Sequence, residues 1–342
     1  MKTYASGKIG PGVCVALALV LLSASAPAQE RPQLRREDRV RLAEAFRMGE
    51  RLGERVWKGW GQAPFAVLLV TPEYEFLVRH PGPSDDFERL GYDALLKSEV
   101  HFRKRVFASN LLATFPAVGG VSTIVIGQPE NTAARTSTRW VVTLLHEHFH
   151  QMQDSQPDFY EEVNKLNLAR GDQTGMWMLN FAFPYERPEV AQKFSAAARA
   201  LAAALVARGG RDFRGKLAAY LSARKGLQDV LGMDDYKYFS FQLWKEGVAR
   251  YTEYRVAREA AARYKPTREF ASLKDFTPFA EDAARSLALV MDDLEKMSLA
   301  ERKRTAFYPF GAGEALLLDR ARPGWQRRYF VENFSLDRLF AR

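Results

Sequence analysis

TSTRWVVTLLHEHFHQMQD, residues 136–154, is the stretch on which the architecture turns. A hydroxyl side chain at Thr136, Ser137 or Thr138 is suited to cap a helix, and Pro157 forbids continuation, so the spacing predicts a helix running to about Asp154. Val141, Val142, Leu144, Leu145 and Phe149 surround that helix with apolar groups, which marks it as buried. Upstream the pattern is that of strands. Residues 65–70 (FAVLLV) and 74–79 (YEFLVR) are split by Pro72, and 121–127 is rich in β-branched residues behind Gly119 and Gly120. Each of the three is read as a strand. An earlier helix is expected over 35–60, where Leu42, Ala45, Phe46, Met48, Leu52 and Val56 recur among charges. Downstream almost everything repeats at helical intervals: 188–207, 212–231, 235–263, 280–298 and 311–322. The expected fold is α+β and predominantly helical. Residues 29–155 would hold a small sheet with an edge strand and end in the joining helix, and 156–342 would form a helical lobe.

The chain has 342 residues, with 50 Lys and Arg against 41 Asp and Glu, 47% hydrophobic residues and one cysteine. That is enough apolar material for a core and too little charge for a disordered chain. One cysteine excludes a disulfide framework and a cysteine-rich metal site. Residues 1–28 read as a secretory signal peptide. Lys2 and Lys8 precede the apolar run from Val13 to Leu22, and Ala26-Pro27-Ala28 supplies small residues for cleavage after Ala28. The run is half the ~20 residues that a bilayer span needs, and Cys14 lies inside it, unlike the cysteine of a lipoprotein signal. A secreted or periplasmic protein without cysteine is expected, with no membrane span after cleavage. Loss of Lys2 and Lys8 takes the net charge from +9 to +7. Bases scattered among acids, as in 35–41 (RREDRVR), argue for a mixed solvated surface and against a nucleic-acid partner.

The chain has five histidines, and His146, His148 and His150 fall within five residues of one another. Residues 146–150 have the form H-E-x-x-H. Positions four apart lie one turn up on the same helix face, so the imidazoles of His146 and His150 can converge on one cation. Glu147, about 100° further round, can face a water whose pKa zinc lowers towards ~7, and accept its proton. Unpaired on a buried helix, each of these polar groups would cost roughly 2–7 kcal/mol. One Zn2+ per chain is therefore preferred over a chance histidine pair. His148 points about 200° from His146 and is read as a packing residue or a support for the ligands.

A catalytic zinc needs a third protein ligand and an open position. His80 and His101 precede the motif in charged, loop-like contexts and are read as surface residues, so the third ligand is expected to be a carboxylate on a later helix. Glu161 and Glu162 lie in a polar segment, and Glu186 and Glu189 flank prolines at a helix start, where an acid suits the helix dipole. Glu246, within 241–251 (FQLWKEGVARY), is preferred. It has aromatics on one side, and Gly247 and Ala249 beside it allow another backbone to come close. The competing reading is a surface carboxylate paired with Lys245 or Arg250. Glu253, about two turns beyond Glu246, is a candidate to orient an imidazole.

These residues resemble the gluzincin branch of zinc metallopeptidases, in which the two histidines of H-E-x-x-H and a glutamate on a later helix hold the metal. Residues 244–251 (WKEGVARY) are similar to the E-G-x-A-x-Y form of that ligand helix. The metzincin pattern H-E-x-x-H-x-x-G-x-x-H does not fit, because Gln153 and Gln156 stand where its glycine and third histidine would be. Tyr308-Pro309-Phe310-Gly311, followed by 315–318 (ALLL), is similar to an element of gluzincin aminopeptidases whose tyrosine hydroxyl hydrogen-bonds the developing oxyanion. Such a donor is worth ~2.7–4 kcal/mol. The resemblance implies a zinc metallopeptidase with His146, His150 and Glu246 as metal ligands, Glu147 as general base and Tyr308 as oxyanion donor. A tyrosine merely packed at a helix start would read the same. The 96 residues from His150 to Glu246 imply a helical insert over about 155–235, since thermolysin-like members have the glutamate near the position of Arg170.

Gly119-Gly120-Val121-Ser122-Thr123 sits where those aminopeptidases have a glycine-rich edge strand, without the acid that grips a substrate's amine. An edge strand can still hold an extended chain by backbone pairing, so the expected partner is a peptide or protein substrate. Two other readings remain: a zinc hydrolase of a non-peptide amide or ester, and a non-catalytic binding protein stabilised by zinc.

Overall fold

Side chains of a strand point alternately to its two sides, and here both sides are apolar. In the computed structural model, which describes residues 31–341, six strands form one sheet in the order β3-β4-β2-β1-β6-β5. They are β1 (Val67–Val70), β2 (Tyr74–Val78), β3 (Glu88–Asp93), β4 (Ser98–Lys104), β5 (Leu112–Val118) and β6 (Val121–Gly127). The expected signal segment, residues 1–28 with its cleavage point, lies outside the described residues. β1 and β6 run parallel, and the other neighbours are antiparallel. Val67, Leu69, Phe76, Val78, Ile124 and Ile126 enter the main core with the helices, whereas Leu68, Val70, Leu77 and Val125 join Phe87 and Val118 in a smaller cluster. Burial on both faces is why β1 reads as an unbroken apolar run.

Two sequence expectations need correction. His101 lies in β4, paired opposite Leu77, and not in a loop. Gly119 and Gly120 have φ of +55° and +74° and form the tight turn between β5 and β6. β6 is therefore an interior strand between β1 and β5; the sheet's edges are β3 and, on this side, Leu112–Val118, not the glycine-led segment after it.

Among the described residues, eight helices have ten residues or more: α1 (Arg36–Val56), α2 (Ser137–Asp154), α3 (Pro188–Val206), α4 (Gly210–Val230), α5 (Met233–Gln242), α6 (Val248–Arg263), α7 (Phe279–Lys296) and α8 (Phe307–Ala321). Helix exceeds strand by 58% to 12%, so the fold is α+β and predominantly helical. Thr136 caps α2 by accepting from Arg139 N. α2 packs against β5, β6, α1 and α6, and from Ser137 to Gln153 only Arg139 escapes burial. Each polar side chain on such a helix must find an internal partner. α8 begins four residues earlier than its apolar spacing suggests, because Pro309 fits the first turn, where no backbone N–H is needed.

α5 and α6 form one rod, as the pattern over 235–263 predicts, but Leu243–Gly247 between them is wound as a single π turn. α8 crosses that turn at Gly311. A Cβ on Gly247 would fall 2.4 Å from Gly311 Cα, so glycine is required where the two backbones touch. The 155–235 region contains the hairpin of α3 and α4, of which α3 also packs on α7 and α8. Gln33–Arg342 form one compact unit. No described helix is long and apolar enough to cross a membrane.

Candidate metal centre

One turn of α2 brings His146 and His150 to the same side, with their Nε2 atoms 3.1 Å apart. The π turn brings Glu246 to meet them: Oε2 lies 3.4 Å from His150 Nε2 and 3.8 Å from His146 Nε2. Among the described residues this is the one group of three metal-ligating side chains close enough to share an ion. A divalent ion held tetrahedrally at about 2.0–2.1 Å has its ligand atoms about 3.3–3.4 Å from one another. The three observed separations bracket that spacing, so the residues fit a metal ion. The alternative pairings of Glu246 are taken: Lys245 pairs with half-buried Asp154, and Arg250 donates to Glu253 Oε2 at 2.9 Å.

Each imidazole is oriented by a neighbour. His150 Nδ1 lies 2.6 Å from Gln153 Oε1, an acceptor, so the proton sits on Nδ1 and the lone pair of Nε2 faces Glu246. Gln153 Nε2 then reaches the carbonyls of Trp244 at 3.2 Å and Lys245 at 3.1 Å, and the hydroxyl of Tyr329 at 2.7 Å. Tyr329 in turn donates to Trp244 O at 2.6 Å. One amide therefore joins a histidine on α2 to the turn that carries Glu246. In the sequence Gln153 serves only to exclude the metzincin pattern. The available signal was its position three residues after His150, on the same helix face. On the other ring, His146 Nδ1 lies 2.8 Å from Glu253 Oε1, and Arg139 and Arg250 grip the second oxygen of Glu253.

The electrostatics follow. Burial opposes charge on His146, but Glu246, Glu253 and Glu147 outweigh it and raise the imidazole to about 9. Burial likewise opposes ionisation of Glu246 and Glu253. The two imidazoles hold Glu246 well below its usual value, and the arginines do the same for Glu253. A position that stabilises positive charge despite burial suits a cation.

Glu147, also buried, turns towards the sheet, where Thr114 Oγ1 of β5 lies 2.7 Å from its Oε2 and 3.0 Å from its carbonyl oxygen. On the opposite side, the Tyr308 ring lies parallel to His146, 10° off, with centroids 6.5 Å apart. Its hydroxyl accepts from Arg304 Nη1 at 2.8 Å. Burial, then the nearby Glu246, pushes the phenol well above its usual value, so Tyr308 stays protonated.

His148 takes no part. Its ring stacks on Phe65 at 3.7 Å and on Trp60 at 5.4 Å, and burial lowers it to about 3. It is a packing residue. His80 meets Val118 O at 3.3 Å, and Glu161 and Glu162 both pair with Lys165. No protein-family model matches the chain, and neither does any curated protein or solved structure.

Proposed function

We propose that the chain is a zinc-dependent hydrolase whose substrates are peptides. The observation that carries this reading is the convergence of His146 Nε2, His150 Nε2 and Glu246 Oε2, with the Glu147 carboxylate supplied by the same helix. Two histidines and one carboxylate are the ligand count of hydrolytic zinc centres, which keep a position open, whereas structural centres use four protein ligands. When bound, zinc polarises a carbonyl and acidifies water.

The side chains supply the rest. Thr114 occupies Oε2 of Glu147, so Oε1 is the atom that accepts a proton from the attacking water and returns it to the leaving amine. Arg304 donates to the Tyr308 hydroxyl, whose own proton faces Glu246; with Glu246 engaged by the ion, that proton is the one to be donated to a carbonyl oxygen as it gains negative charge. Gln153 and Glu253 keep the two imidazoles in place. The peptide preference is supported by the resemblance to gluzincins and by the edge strand β5, which meets Glu147 through Thr114 and offers free backbone groups for pairing. The signal-like N-terminus is consistent with a secreted or periplasmic enzyme.

Metal analysis of the purified protein is expected to give one zinc per chain, lost in His146→Ala and in Glu246→Ala. Glu147→Gln is expected to keep the zinc while turnover of a mixed peptide library falls by about 10²–10⁴-fold. Equal turnover by parent and variant would overturn the hydrolase reading.

A further inference from the structure

The fixed charges around the metal donors pair off, with one exception. Glu253 lies between Arg139 and Arg250, and Arg139 also faces Asp282 at 3.7 Å. Lys245 is matched by Asp154. Glu246 and Glu147 are the two negative charges available to a divalent ion. Arg304 is left over. Its Nη1 donates to the neutral Tyr308 hydroxyl and lies 3.6 Å from Glu246 Oε1, an anion that the metal also claims. Its Nε and Nη2 meet no acceptor among the described residues.

This arginine is not free to swing in solvent. Its side chain is 22% exposed and its guanidinium lies 5.3 Å from the centre of the Tyr308 ring. Tyr185 and Tyr238 stand close enough to feel its charge. The preceding residue, Lys303, has φ +48° and ψ −130°, a conformation that side-chain-bearing residues avoid. A costly backbone turn thus sets a half-desolvated cation beside the site with two donors open. Nε and Nη2 form one planar edge of the guanidinium, the edge that takes both oxygens of a carboxylate.

We propose that Arg304 binds a carboxylate of the substrate, so that the preferred peptides carry a carboxylate beside the bond to be cleaved. This rests on the hydrolase reading above. The carboxylate has two possible sources: the chain end, which would make the enzyme trim C-terminal residues, or an Asp or Glu side chain.

The test takes one peptide that the zinc-loaded protein cleaves and offers it in four forms. The C-terminus is either free or amidated, and the residue flanking the cleaved bond is either Glu or Gln. Forms with the recognised carboxylate are expected to have kcat/KM about 10–100-fold above the form with none, as a charge-assisted bond allows. Loss of the preference on amidation identifies the chain end, and loss on replacing Glu by Gln identifies the side chain. Arg304→Gln is expected to bring the ratio close to one, whatever it does to the rate through Tyr308. Arg304→Lys, which keeps the charge but not the planar edge, is expected to give an intermediate ratio. Equal turnover of all four forms by the parent, or a ratio that survives Arg304→Gln, overturns the proposal.

Calorimetric titration of the same peptides into zinc-loaded Glu147→Gln protein gives a readout that needs no turnover. Tighter binding of the acid forms, abolished by Arg304→Gln, supports the subsite even if nothing is cleaved and the hydrolase reading falls. Equal binding of acid and amide forms overturns it.

Discussion

Gln153 uses both ends of its amide on the site, Oε1 on His150 and Nε2 on two carbonyls of the π turn and on Tyr329. Groups that orient a metal-bound histidine typically change metal affinity 10–100-fold when removed. Gln153→Ala is therefore expected to weaken zinc binding by about that factor. Gln153→Glu keeps an acceptor for His150 Nδ1 but turns an oxygen towards the carbonyls of Trp244 and Lys245, so it is expected to rescue only part of the loss. Competition with a chelator of known affinity measures both, and parental affinity in the two variants would show that the amide serves packing alone. The H-E-x-x-H residues were legible in the sequence because helical geometry alone puts positions 146 and 150 on one face. Glu253 was legible for the same reason, once Glu246 was chosen. Gln153 was not, beyond its spacing from His150, because the partners of its amide nitrogen lie 91, 92 and 176 residues away, and a single sequence does not say which buried amide meets which carbonyl.

The π turn and the helix crossing it set where Glu246 sits. Gly247 and Gly311 touch backbone to backbone, so a Cβ at Gly247 would lie 2.4 Å from one backbone atom of Gly311 and 2.9 Å from another. Neither atom can rotate aside. Gly247→Ala must push α8 off the turn and is expected to cost about 1–3 kcal/mol or more, with a loss of zinc affinity because the same turn carries Glu246. Gly215→Ala, in α4 with nothing within 4 Å of the added carbon, is expected to gain up to ~1 kcal/mol from helix propensity. Thermal unfolding of the two variants compares them directly, and an unchanged midpoint in Gly247→Ala would sink this account of the crossing. The helical pattern over 235–263 and the room for another backbone at Gly247 were legible, but the π turn was not. Tyr238, Phe239, Phe241, Leu243, Trp244, Val248, Ala249 and Tyr251 are all buried, so the apolar pattern surrounds the helix and carries no register that one extra residue could break. β3 and β5 escaped for the opposite reason. Only one residue between them, Val118, is fully buried, and Pro116 is tolerated in β5 because that strand is an edge.

At the scale of the whole molecule, the site ties together parts far apart in sequence. α2 carries His146, His150 and Glu147, the π turn brings Glu246 to them from 96 residues on, and Glu147 rests on Thr114 of the sheet. The main apolar core runs without a break from β1, β2 and β6 through α2 to α8 and the C-terminal segment. An ion that binds only the folded form stabilises it by about 2.7 kcal/mol when its free concentration is 100 times Kd. For a chain this long that corresponds to a rise of about 4 °C in the unfolding midpoint. Because sheet and helices share one core, the whole transition is expected to move as a single step on adding zinc and to return on adding EDTA. His146→Ala, which removes a ligand and leaves Glu253 facing an empty space, is expected to show no zinc-dependent shift. Scanning calorimetry with and without zinc distinguishes the possibilities. Two transitions of which only one responds would mean that the ion is held within a part of the chain that melts by itself, and the joining role assigned to α2 would fail.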